Sequence, residues 1–171
     1  MTVQTRLNDP EFLTHLRRAF KSASMIGLGM IVSLAAYLAI VELVRARLSP
    51  FLGFLSGSMP PGTRPILRYA FFGAAVLCVA IVRLVNSRMM RKAAASGDPA
   101  AATGILFRTN AVVLCLSEIP AILGLVLFLL AGYNRDFYVL LFVSLVLFFM
   151  YFPRLKNWED TLQNHPPTCP R

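Results

Sequence analysis

Glu118 stands inside the apolar run Ala111 to Ala131, with Ser117 before it and Pro120 two residues after. A carboxylate at mid-bilayer depth costs a few kcal/mol or more, so such a group is protonated, paired, or placed there to bind and release a proton or cation. Pro120 has no N–H to donate and so frees the carbonyl of Leu116 one turn earlier. With the Ser117 hydroxyl and the Glu118 carboxyl, that carbonyl makes an expected polar pocket for a proton or a water molecule. Ser117, Ala121 and Gly124 form a stripe of small side chains beside it, of the kind that lets a second helix come close. Thr109 and Asn110, nearer the start of the run, extend the expected polar path toward Glu118. Arg108 is ten residues before Glu118, or about 15 Å along a helix, which is half the thickness of a hydrocarbon layer.

Composition says what positions these groups. Hydrophobic residues make up 57% of the 171 residues and charged residues 15%, with a mean hydropathy of +0.64. A soluble domain of this length is less apolar, so the chain reads as an integral membrane protein. Four segments approach the roughly 20 apolar residues that a span requires, over about 22–44, 66–85, 104–131 and 137–152. The fourth is short, and its aromatic ends complete the crossing in the headgroup belts. None of the runs alternates polar with apolar residues, which argues against a strand barrel. The expected fold is all-α, a four-helix membrane bundle of two helical hairpins.

The 17 basic residues outnumber the 8 acidic ones. In a soluble protein that excess would suggest nucleic acid as a partner; here the cations flank apolar runs as topology signals do, and no nucleic acid is expected. With the amino terminus inside, twelve cations fall on the cytoplasmic side and five (Arg45, Arg47, Arg64, Arg68 and Arg135) on the other. Both termini are therefore expected in the cytoplasm, with the spans in a cell membrane of the bacterial inner-membrane kind.

Residues 1–21 predict a short amphipathic helix on the cytoplasmic surface. Asp9 caps it, Pro10 opens it, and Phe12, Leu16 and Phe20 share a face opposite Arg17, Arg18 and Lys21. The loop Ser49 to Pro65 carries four prolines and three glycines, and its apolar first half is expected to rest on the membrane surface. The loop Asn86 to Thr103 turns at Ser96-Gly97-Asp98-Pro99, and residues 154–171 form a cytoplasmic tail. Glu42, near the outer end of the first span, is expected to pair with Arg45 three residues on. Cys78, Cys115 and Cys169 have no metal spacing and read as packing residues, and His15 and His165 fit no ligand pattern. No metal, cofactor or enzymatic set is expected.

The stretch Ala93 to Phe137 resembles the polar loop and second helix of the c subunit, or proteolipid, of rotary ATP synthases. The resemblance lies in the alanine-rich loop, the Glu at mid-helix, the Ile-Leu-Gly-Leu-Val run and the loop ending in Asn and Phe. It implies that Glu118 corresponds to an ion-binding carboxylate, and the four spans resemble the doubled hairpin of the vacuolar-type proteolipids; a homo-oligomer or a complex with other membrane subunits is expected. The preceding span, with Gly73 alone, lacks the dense glycine repeat of such a ring. Two functions follow: a subunit or scaffold of a membrane complex whose Glu118 joins helices, or translocation of a proton or cation through Glu118. The partners expected are the lipid bilayer and either further copies or other membrane subunits.

Overall fold

The computed structural model describes residues 10–153, apart from residues 56, 58–59, 61 and 97–98. Its helices are α1 (Pro10–Arg47), α2 (Thr63–Ala94), α3 (Pro99–Ala131) and α4 (Asn134–Tyr151), with no strand among the described residues. All four are long and apolar enough to cross a membrane, over Arg17–Arg47, Thr63–Ala93, Ala101–Ala131 and Asn134–Tyr151. The upper end of the molecule, as used below, is where α1 and α3 finish and α2 and α4 begin.

The helices overrun the apolar segments because nothing in the flanking sequence stops them. α1 has 38 residues, about 57 Å at 1.5 Å per residue, where a hydrocarbon layer needs about 30 Å. The separate amphipathic helix expected over residues 1–21 is therefore corrected. From Pro10 onward it is the first part of α1, since no Gly or Pro interrupts the chain between Glu11 and Ile26. Phe20 packs with Ala19 against a small core of Ala23, Ala93, Ala102 and Leu106, where the lower ends of α1, α2 and α3 meet. The capping Asp9, the side chains of Phe12 and Leu16, the Gly97-Asp98 turn and the tail 154–171 lie outside the described residues. α3 starts at Pro99, and α2 takes Pro65 into its first turn, where a missing N–H costs no helical bond.

α3 is the central helix and packs along α1, α2 and α4, whereas α1 and α2 share no extended interface. α3 and α4 form the expected hairpin; α1 and α2 do not, because the connection after Arg47 crosses the upper end of α3. There the segment 51–55 docks on the helix end. Phe54 N donates to Leu129 O at 2.8 Å and Leu55 N to Leu130 O at 3.2 Å. These bonds satisfy carbonyls that the last turn of a helix leaves without partners. The contact is backbone on backbone: a Cβ at Gly53, whose φ is +93°, would lie 2.5 Å from Leu130 O. Phe51 sits between Phe54 and Phe128, with ring centroids 5.2 Å and 5.1 Å away. It adds to a core of Val41, Phe128 and Phe137.

Candidate functional site

Successive residues on a helix turn by about 100°, so three neighbours on the central helix face three sectors of the bundle. Leu116, Ser117 and Glu118 do this, and each makes a polar link to a different helix. Pro120 leaves the Leu116 carbonyl without its helical donor, and the Cys78 thiol of α2 takes that place at 3.2 Å. The Ser117 carbonyl accepts a hydrogen bond from the Ser144 hydroxyl of α4. Glu118 Oε1 accepts from two hydroxyls of α1, Ser33 Oγ and, at 2.8 Å, Tyr37 OH. Ser33 and Tyr37 are four residues apart, which stacks them on one face of α1 opposite the carboxyl.

The single pocket expected from Leu116, Ser117 and Glu118 is thus not formed, and the three groups diverge. The Ser117 hydroxyl turns back onto Val113 O of its own helix at 2.7 Å, the usual outcome for a buried serine at mid-helix. Ala121 is fully buried and packs with Leu34, Leu114 and Phe148, from three helices. Gly124 lies against α4, where a Cβ would come within 3.0 Å of Leu140 Cβ and 3.3 Å of Phe137 O.

Thr109 and Asn110 do not continue a path to Glu118. Thr109 is buried and donates to Ile105 O at 2.7 Å. The Nδ2 of Asn110 is buried with no acceptor. Eight residues, about 12 Å, separate it from Glu118 along α3.

A second polar tier closes the upper end. Arg68 of α2 grips Asp136 in the first turn of α4: Nη2 donates to Oδ1 at 2.8 Å, and Nε is an ion contact 2.7 Å from Oδ2. Asp136 is 6% exposed and Arg68 46%, so the pair has a buried anion and an accessible cation. Position favours the carboxylate, because the start of a helix is the positive end of its dipole. The Arg68 guanidinium also lies 6.0 Å from the Phe72 ring centroid and 5.8 Å from that of Tyr133, within cation–π range. On the opposite side of α4, Tyr138 OH donates to Glu42 of α1. Arg45 lies 3.7 Å from Glu42, the pairing expected from their spacing.

Ser33, Tyr37, Arg68 and Asp136 are the residues that sequence reasoning did not assign to a site. Ser33 and Tyr37 had a visible signal, two hydroxyls four residues apart in an apolar run at the depth of Glu118. Arg68 and Asp136 had a weaker one: each is a charge at the upper edge of a span, on helices that are not adjacent in sequence.

Among the described residues no three His, Cys, Asp or Glu side chains gather as a metal site. Cys78 is a buried free thiol and Cys115 an exposed one. No family model, no curated protein and no solved structure matches the chain.

Proposed function

We propose that the chain is a multi-pass membrane protein with both termini in the cytoplasm, acting as a subunit or scaffold of a membrane complex in which Glu118 fixes α1 to the central helix. The observation that carries this reading is the engagement of Glu118 Oε1 by Ser33 and Tyr37, both on α1. In hydrocarbon a carboxyl without partners is costly, and hydrogen bonding across helices removes that cost. In the 18-residue apolar stretch of each span, 17% of the residues are buried in α1 and in α2, against 44% in α3. The two outer helices thus keep broad apolar faces for lipid, further copies or other membrane subunits.

Two replacements test the anchor. Glu118→Gln keeps a group that accepts from Ser33 and Tyr37, so assembly and co-purifying subunits in mild detergent are retained. Glu118→Leu takes the acceptor from Tyr37 and leaves Ser33 only Met30 O of its own helix, so α1 loses its polar link and assembly and the co-purifying subunits are lost. Wild-type assembly and stability in Glu118→Leu would remove the anchor.

A second reading, proton or cation translocation as the proteolipid resemblance implies, is favoured by Ser33. Its one hydroxyl hydrogen has two acceptors in reach, Met30 O at 2.7 Å and Glu118 Oε1. When the carboxyl is bare, Ser33 donates to it; when the carboxyl carries a proton, it can donate to Ser33 Oγ while Ser33 donates to Met30 O. Glu118 can then gain or lose a proton with its contacts to α1 kept. Labelling of Glu118 by a hydrophobic carbodiimide, together with proton flux in liposomes that Glu118→Gln abolishes, supports this reading. Unchanged flux in the variant removes it.

A further inference from the structure

Between α1 and α4, on the side away from Glu118, Ile31, Leu145, Phe148, Phe149 and Phe152 line an apolar groove of about 280 Å³. Its lower end is defined by Phe152, whose ring lies across Gly27; a Cβ there would be 3.0 Å from Phe152 Cε2. α4 ends at Tyr151. Below this level the α4-facing side of α1 is uncovered among the described residues, and it carries two cations. Arg17 is fourteen residues before Ile31 and within about 40° of it around the helix, and Lys21, ten residues before, is within about 80°. Both side chains are exposed. Among the described residues no carboxylate pairs with either.

Height identifies what fits. Ser33, bonded to Glu118, marks the middle of the span. Lys21 is twelve residues below it, about 18 Å, and Arg17 sixteen, about 24 Å. The hydrocarbon of one leaflet is about 15 Å deep and the headgroup layer extends about 5–7 Å further. Ile31 is therefore at chain depth, while Lys21 and Arg17 flank the plane of the phosphates, reachable by side chains that extend along the helix.

We propose that an anionic glycerophospholipid of the cytoplasmic leaflet is bound here, with one acyl chain in the groove between α1 and α4 and its phosphate held by Lys21 and Arg17. Two cations that no carboxylate pairs among the described residues select an anionic headgroup over a zwitterionic one, whose own ammonium they repel.

Native mass spectrometry of the full chain, released from nanodiscs of equal phosphatidylglycerol and phosphatidylcholine, tests the site. Wild type retains phosphatidylglycerol with a several-fold preference. The double replacement Arg17→Gln/Lys21→Gln brings the ratio near parity, and Leu145→Trp, which fills the groove, lowers retention of both lipids. Arg91→Gln/Lys92→Gln, on α2, removes the same charge away from the groove and leaves the preference in place. An unchanged preference in Arg17→Gln/Lys21→Gln, or an equal loss in Arg91→Gln/Lys92→Gln, overturns the site.

Discussion

Tyr37 and Glu118, 81 residues apart in the chain, meet through a 2.8 Å hydrogen bond from the phenol to the carboxyl. With Ser33 on the same oxygen, this is the polar connection of α1 to the central helix at mid-height. The connections of α2 and α4 leave α3 within the two preceding residues. One short segment, Leu116 to Pro120, therefore holds all three neighbours by polar contacts, and apolar packing above and below completes the bundle.

Glycine replacements test the packing. Gly124→Ala places a methyl 3.0 Å from Leu140 Cβ and 3.3 Å from a backbone oxygen of α4; the helices must separate, at about 1–3 kcal/mol. Gly53→Ala is worse, because its φ of +93° disfavours any side chain and backbone atoms lie 2.5–2.7 Å from the new Cβ. Gly29→Ala meets nothing within 4 Å and leaves stability unchanged or raises it by up to about 1 kcal/mol through helix propensity. Thermal unfolding in one detergent ranks Gly29→Ala above Gly124→Ala above Gly53→Ala.

Cys78 and Pro120 are coupled through the Leu116 carbonyl. Removing the thiol with Cys78→Ala leaves that carbonyl without a donor and costs up to about 1 kcal/mol, since S–H is a weak donor. Pro120→Ala restores a backbone N–H to the same oxygen. In the Pro120→Ala background the added loss from Cys78→Ala falls to little more than that of the packing volume. Equal losses in the two backgrounds would show that the thiol contact contributes nothing.

Arg68 and Asp136 are predicted to be worse apart than absent. Asp136→Leu leaves an exposed arginine that water solvates, whereas Arg68→Met leaves a buried carboxylate without its cation, so Arg68→Met lowers the melting temperature more. The double variant Arg68→Met/Asp136→Leu recovers most of the Arg68→Met loss, because a buried charge left unpaired is what costs. Melting curves of the three variants at one ionic strength decide it.

Much of the fold is legible in the residues. Apolar runs such as Val112 to Leu130 locate the helices, although α3 starts at Pro99, ahead of its apolar run. Helix ends are less legible: the charged stretches before Ser22 and after Val85 are good helix formers, so hydropathy ends a span where the hydrogen-bond ladder does not. Glu118 announces itself as an acid in an apolar run, but its partners do not. Leu116, Ser117 and Glu118 look like one pocket in sequence because they are neighbours, and a 100° turn per residue sends them apart. Which hydroxyls meet Glu118 depends on how α1 is rotated and how high it sits, which packing sets. The docking of Gly53 on the end of α3 was hidden for a related reason, since close approach of two backbones is written only as glycines in a loop that has several.

The central claim is that Glu118 bonds α1 to α3, and a double-mutant cycle on Tyr37 and Glu118 tests it most directly. Stability of wild type, Tyr37→Phe, Glu118→Leu, which removes the acceptor that Gln would keep, and the pair is measured by reversible unfolding in one detergent or bicelle. A coupling energy of about 0.5–1.5 kcal/mol, the range of hydrogen bonds between membrane helices, is the predicted result. Additive losses, with the coupling at zero within error, would contradict the account.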